Sequence, residues 1–369
     1  MLINDIPYHT IWLDDKGRIK TFDQRYLPFK IKIITLRTSD DVYSAIREMK
    51  LRGAPAIGVA AAYGMYLACK ESKSASAPGK YILKKYKQLL SARPTAVNLQ
   101  FALKNSLEEI NNHDDKISAA LEYANKLKAY EIDACKKIGE YGVKLIENIY
   151  KKKKSTVNIL THCNAGWLAC IEYGTATAPI YFAAAKKIPV HVWVEETRPR
   201  NQGASITAFE LYHNHIPHTI ICDNAGGYVL QKKMADIVIT GSDRTTANGD
   251  VCNKIGTYKT ALAAFDNGVP FYAAVPSSSF DLSIDNGLSE IPIEERTPDE
   301  VDYISGLYKN KLVKVRITPP HSMSKNFGFD ITPAKLVTGL ITDKGIISPV
   351  RKENIKAIIL SEFISQMRS

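Results

Sequence analysis

The stretch NILTHCNAGWLAC, residues 158–170, ends a short apolar run with His162, Cys163 and Asn164 and breaks at Gly166. A thiol that only fills space belongs inside such a run, at a position such as Ile159 or Leu160. Cys163 instead stands at its end, between two polar side chains. A helix N-terminus following Asn164 would bias this thiol toward thiolate, whereas a dry pocket would oppose that. Cys170, seven residues on, is expected to be an inert core residue.

A second chemical stretch is DIVITGSDRTTANGDVCNKIGTYKTALAA. Asp243 follows an apolar run two residues after Gly241, and the Gly249 turn is expected to deliver Asn253 and Lys254 to the start of a helix. A carboxyl at a strand end beside an amide and an ammonium makes an acid–base group next to an anion cradle. The competing reading is a loop-capping Asp and a solvated Lys.

LRGAPAIG places Arg52, Gly53 and Ala54 ahead of Pro55 at a helix start. Free backbone N–H groups there, with the Arg52 fork, form a natural phosphate site; a plain tight turn explains the same residues. SARPTAVNL repeats the pattern with Arg93 before Pro94 and Thr95. EETRPRNQG offers Arg198, Arg200 and Gln202, of which Gln202 beside Gly203 is the better-placed ligand donor, while Glu195 and Glu196 could simply pair with the arginines. The eight histidines form no metal-binding spacing, and His213 and His215 read as surface residues. Reduced thiol, carboxyl and phosphate-type donors without a metal or dinucleotide motif favour cofactor-free chemistry on a phosphorylated small molecule.

The elements that must position these groups follow from periodicity. Residues 1–36 read as short strands in HTIWL, RIKTFD and KIKIITL. Then TSDDVYSAIREMKL turns helical, with Ser39 or Asp40 as N-cap. Further helices are expected over 54–69, 80–91, 95–112 and 116–150. From Thr156 the runs TVNILTH, VHVWVEE, HTIICDN, DIVITGSD and PFYAAVPS are apolar without alternation, the mark of strands buried on both faces; LVKVRITPP reads as a further candidate. Helix-compatible segments at 203–214 and 256–268 lie between them. The fold class is therefore α/β: a small N-terminal strand cluster plus a helical domain (1–125), then a Rossmann-like, mainly parallel sheet domain (126–369). Ligands in such sheets bind beyond the carboxyl ends of the strands, where HCN, EETRPRNQG, DNAGG and GSDR all fall.

The chain has 369 residues, 45% of them hydrophobic and 24% charged, as in an ordinary soluble globular protein. The longest apolar stretch, Ala54 to Cys69, is too short and weak to span a membrane. No basic segment followed by an apolar one opens the chain, so the cytoplasm is expected. Six cysteines without CxxC spacing point to reduced thiols. The net charge of +11 would suit an anionic partner, but basic residues are scattered and the KKKK run at 151–154 reads as a solvated turn. Nucleic-acid and membrane partners are not expected.

RGAPAIGVAAAYGM, THCNAG, ETRPRNQG, GSDRTTANGDVCNKIGTY, IPIEERTPDEV and GFDITPAKLVTGLITDKGI together resemble the methylthioribose-1-phosphate isomerase family, in order from about residue 8 to residue 347. The superfamily includes ribose-1,5-bisphosphate isomerases and regulatory subunits of the translation initiation factor exchange complex. The resemblance implies an aldose–ketose isomerase of methionine salvage, without cofactor or metal, forming a homodimer through the α/β domain. It implies Cys163 and Asp243 as the catalytic pair, with Asp243 as proton donor and Cys163 as transition-state stabiliser or proton shuttle. Arg52, Gly53, Ala54, Arg93, Gln202, Asn253 and Lys254 would bind substrate, chiefly its phosphate. The alternatives are isomerisation of 5-deoxyribose 1-phosphate or ribose 1,5-bisphosphate, or a non-catalytic regulatory subunit. GSDR, where relatives often carry GADR, leaves the implied ligands intact.

Overall fold

The computed structural model describes residues 1–93 and 96–360. Strands β1 (Ile11–Leu13), β2 (Ile19–Phe22) and β3 (Ile33–Leu36) form the expected antiparallel N-terminal sheet. Helix α1 (Ser39–Arg47) is capped one residue earlier than expected, by Thr38. Its Oγ1 accepts from the Asp41 N–H at 3.1 Å while the Asp41 carboxylate accepts from the Thr38 N–H at 3.0 Å, a reciprocal capping box that neither Ser39 nor Asp40 can make.

Helix α2 (Ala54–Ser72) is buried on nearly every face. Its run of Ala, Gly and apolar residues lets α1, α3 (Pro78–Leu90), α4 (Val97–Asn112) and α5 (Lys116–Lys153) pack around it. The Pro94–Thr95 part of the expected α4 start lies outside the described residues. Asp115 caps α5 by accepting from the Ile117 and Ser118 N–H groups. This 38-residue helix, about 57 Å long at 1.5 Å per residue, serves two cores. Ala120, Ala124 and Leu127 belong to the helical core, whereas Ile138, Val143 and Ile146 pack under the second sheet. The expected division between residues 125 and 126 falls inside it.

The second sheet contains β4 (Val157–Thr161), β5 (Val190–Glu195), β6 (His218–Ile221), β7 (Ile237–Gly241), β10 (Phe271–Ala274), β12 (Gly339–Thr342) and β13 (Gly345–Ile347). The spatial order is β13-β12-β10-β7-β4-β5-β6, parallel except for β13. The chain runs outward from β4 through β5 to β6, then returns to lay β7 on the opposite side of β4. That reversal is a topological switch point, where a crevice opens at the carboxyl ends of the strands. Cys163 follows β4 and Asp243 follows β7, so the two candidates flank this crevice.

Three elements differ from the sequence reading. Asn253 and Lys254 lie on a strand, β9 (Val251–Lys254), paired antiparallel with β8 (Arg244–Thr246) and with β11 (Phe329–Thr332). Helix α9 (Thr257–Asp266) begins only after Gly256. LVKVRITPP joins a separate exposed hairpin, Tyr303–Tyr308 with Lys311–Arg316, turned by Lys309 and Asn310 at φ 47° and 60°. Its Lys and Arg alternate with apolar residues and would be buried in a parallel sheet. Finally, no α-helix starts directly after Asn164: a single 3₁₀ turn, Trp167–Ala169, follows, and α6 (Ala178–Ala185) and α7 (Ala208–His213) come later. No helix among the described residues is long and apolar enough to cross a membrane.

Candidate active site

Cys163 sits in the left-handed region at φ 63°, a strained conformation for a non-glycine residue that needs external support. Its backbone N–H donates to Thr197 Oγ1 at 2.8 Å, and its carbonyl accepts from Thr207 Oγ1 at 2.7 Å. Thr207 closes a five-residue π-helical turn, Gly203–Thr207, which displaces it toward the β4 loop. The thiol is thus fixed by two loops that follow β5. Burial pushes its pKa up, against the pull of Arg52 and Lys254, so it is a thiol with cations at hand, without the helix N-terminus expected from sequence.

Asp243 is placed by the β8–β9 hairpin. Its N–H donates to the Cys252 carbonyl at 2.9 Å, which sets the carboxyl beside Asn253 and Lys254. Desolvation raises its pKa, with Arg93, Arg52 and Lys254 opposing. A carboxyl in such surroundings is suited to donate a proton.

Gly53 caps α2 at φ 97°, and a Cβ there would lie 2.2 Å from the Ala169 carbonyl oxygen. Only glycine lets α2 meet the 3₁₀ turn that follows the Cys163 loop. This contact aims the free N–H groups of the first α2 turn, at Ala54 and beyond, into the crevice. Arg52 is buried and donates through Nη1 to the Asn164 carbonyl at 3.0 Å and through Nη2 to Asn164 Oδ1. Asn164 donates to Glu210, whose carboxyl also accepts from the Trp167 and Leu168 N–H groups at 3.1 and 2.9 Å. Burial raises Glu210 to about 7. A Cβ on Gly166 would strike this carboxyl at 1.7 Å, which explains the glycine that breaks the opening motif.

A cavity of about 80 Å³ gathers all nine sequence candidates: Arg52, Gly53, Ala54, Arg93, Cys163, Gln202, Asp243, Asn253 and Lys254. Arg52 Nε, Arg93 Nε and Gln202 Oε1, on residues that line this cavity, are buried without a hydrogen-bond partner among the described residues. The cavity shares Met49, Arg52, Arg200 and Gln202 with an adjoining space of about 380 Å³ that also borders Leu27, Phe29 and Tyr303. Arg198 and Arg200 do not pair with Glu195 or Glu196: Arg200 binds Glu300 at 2.7 Å, and Arg198 donates to the Pro199 and Val301 carbonyls. Cys170 is buried beside Cys135 and also borders the cavity. His213 is partly buried and accepts from the Asn4 N–H, while His215 is exposed.

Sequence reasoning passed over the group behind the thiol. His162 is 1% exposed and Glu195 is fully buried. His162 Nδ1 lies 2.6 Å from Glu195 Oε2, and Nε2 lies 2.9 Å from the Ile255 carbonyl. Both partners only accept, so both ring nitrogens carry protons and the ring is an imidazolium. Burial alone lowers its pKa, but the Glu195 carboxylate more than reverses this. Glu195 also accepts from Lys259 at 3.0 Å and Thr260 at 2.9 Å. His162, Glu195 and Asp223 come close enough to suggest a cation site. Yet the imidazolium and the Lys259 ammonium already balance the two carboxylates. The pair therefore ties the Cys163 strand end to β5 and to the segment after Lys254. The one sequence signal was a glutamate ending the apolar run VHVWVE.

A raised histidine pKa adds stability in full below the unfolded value, about 6.5, and that stability is lost as pH rises through the folded pKa. Urea unfolding should therefore show the stability gap between wild type and His162→Gln shrinking as pH rises above neutral. A gap independent of pH would contradict the imidazolium assignment.

Residues 50–349 match the model of the initiation factor 2 subunit family. A methylthioribose-1-phosphate isomerase of Rhizobium meliloti is 49% identical over 364 residues, covering 97% of this chain and 99% of that protein. The crystal structure of 5-methylthioribose 1-phosphate isomerase from Pyrococcus horikoshii superposes with a TM-score of 0.83 at 35% identity, covering 96% of each chain. A structure described as translation initiation factor eIF-2B subunit delta from A. fulgidus gives 0.79 at 34% identity, covering 96% of this chain and 99% of that one. With these likenesses over nearly its whole length, the chain belongs to the initiation factor 2 subunit family and, within it, to the methylthioribose-1-phosphate isomerases.

Proposed function

We propose that the chain converts 5-methylthioribose 1-phosphate to 5-methylthioribulose 1-phosphate with Cys163 and Asp243 as its catalytic pair. The observation that carries the reading is the placement of a partly buried thiol and a pKa-raised carboxyl on the two sides of the switch point, inside a cation-lined cavity. The anomeric carbon of the substrate carries phosphate, so the ring cannot open by simple hemiacetal reversal. Asp243 enters as the neutral acid and protonates the ring oxygen as the C1–O bond breaks. Cys163 assists the movement of hydrogen from C2 to C1, either as proton shuttle or by stabilising the transition state. Arg52, the α2 N-terminus at Gly53 and Ala54, Arg93, Gln202, Asn253 and Lys254 hold the substrate, chiefly its phosphate. Water is excluded by closure of the helical body over the sheet edge.

The protein works on this sugar phosphate in the cytoplasm as a homodimer, without nucleic-acid or membrane partners. Tyr258, Leu262 and Phe265 line one exposed face of α9, beside exposed Tyr228 on α8 (Gly226–Gln231). Such an apolar patch on the sheet domain suits a twofold contact.

Cys163→Ala and Asp243→Asn should each lower kcat by roughly 10²–10⁴-fold while leaving thermal unfolding near that of wild type. Either variant folding normally with full turnover would overturn the pair. Because the Asp243 pKa is raised and its acid form works, kcat/KM should fall as pH rises through that pKa, and Asp243→Asn should lack this limb. For assembly, sedimentation equilibrium should find Phe265→Lys shifted toward monomer relative to wild type. A wild-type monomer would refute the dimer.

A further inference from the structure

Besides the His162 imidazolium, which Glu195 balances, five cationic side chains line the cavity: Arg52, Arg93, Arg200, Lys254 and Arg296. Three of them are already engaged by two carboxylates of the segment around residues 294–300. Glu294 accepts from Arg93 Nη2 at 3.0 Å and from Arg296 Nη1 at 2.8 Å. Glu300 Oε1 accepts from Arg296 Nη2 at 2.8 Å and from Arg200 Nη1 at 2.7 Å. Its Oε2 accepts from Arg296 Nε at 3.0 Å and from Asn326 Nδ2 at 2.9 Å. An unbroken ladder Arg93–Glu294–Arg296–Glu300–Arg200 thus runs from the helical body to the loop ahead of Gln202. All five side chains are at least three-quarters buried. The isomerisation itself uses only Arg93 from this ladder.

The charge balance of the cavity decides what fits. Five cations and two carboxylates leave three net positive charges, or two where Asp243 is ionised. A single phosphate, carrying about two negative charges at neutral pH, leaves at most a small positive excess. A pentose with phosphate at both ends brings about four, which leaves an uncompensated negative charge in a desolvated cleft. Geometry acts the same way: Arg296 already spends three of its donors on the carboxylates, and Arg200 spends one. Both would otherwise present free forks to a second phosphate.

We propose, resting on the functional reading above, that Glu300 and Glu294 are specificity-determining residues that restrict the cavity to sugars with one phosphate, by neutralising Arg200 and Arg296 against a 5-phosphate. The filter works by negative charge, since a bulkier neutral wall would not need paired arginines.

The test compares kcat/KM for ribose 1,5-bisphosphate with kcat/KM for 5-methylthioribose 1-phosphate. Glu300→Gln should raise that ratio at least tenfold over wild type. Glu300→Asp, which keeps the charge, should hold the ratio close to wild type. Equal losses on both substrates in Glu300→Gln would reduce the ladder to a structural latch and overturn the proposal. Should Glu300→Gln fail to fold, Glu294→Gln carries the same expectation through Arg296. A wild-type chain that turned over neither sugar would defeat the functional reading instead. The filter is then read from binding, with ribose 1,5-bisphosphate gaining at least tenfold in affinity over ribose 1-phosphate in the Gln variant. Unchanged relative affinities would overturn it.

Discussion

Desolvation at the carboxyl edge of the parallel sheet is the constraint from which the rest of the site follows. Cys163 and Asp243 are both driven toward their neutral forms by burial, and each is partly pulled back by the same cations, Arg52 and Lys254. A carboxyl pushed toward its acid form and a thiol close to cations are suited to exchange protons with a sugar, where solvated counterparts would be a carboxylate and an ordinary thiol. Buried cations need partners in turn. Arg52 leans on Asn164, which leans on Glu210, while Lys254 lies in the cavity wall with its own pKa lowered by burial. The site is therefore a set of charges balanced against one another out of water.

Backbone geometry makes that balance possible. The topological switch point brings the ends of β4 and β7 side by side although they are eighty residues apart in sequence. The His162–Glu195 pair then locks the β4 end to the end of β5, and through the Ile255 carbonyl to the segment that follows Lys254. Gly53 lets α2 approach the 3₁₀ turn below the thiol, so the helical body contributes Arg52 and a helix N-terminus to a site built otherwise on the sheet domain. Strain at Cys163 is held by Thr197, in the loop after β5, and by Thr207, at the end of the π-helical turn.

Much of this was legible in the sequence, for identifiable reasons. Cys163 and Asp243 stood out because a polar or reactive residue directly after a doubly buried strand has one plausible location, the ligand-binding edge. Arg52 and Gly53 were readable because Pro55 marks a helix start. The β8–β9 hairpin was not, because Gly249 followed by Asn253 and Lys254 mimics a loop entering a helix, and only pairing with the distant β11 makes Val251–Lys254 a strand. Partner identity was equally hidden. Sequence proximity allows Glu195 to pair with Arg198 or Arg200, but β5 carries it toward His162, thirty-three residues away. IPIEERTPDEV was visible only as a family motif; its role depends on a fold that lays Glu294 and Glu300 across three cavity arginines.

Desolvation in the free enzyme pushes the Asp243 carboxyl toward its neutral form, against the pull of Arg93, Arg52 and Lys254. Difference infrared spectroscopy of wild type against Asp243→Asn reads this directly. A protonated-carboxyl C=O band should persist in wild type above the ordinary acidic range of an aspartate and be missing from the variant. A wild-type spectrum with only carboxylate bands at neutral pH, and a protonated band emerging only in the ordinary acidic range of an aspartate, would contradict it.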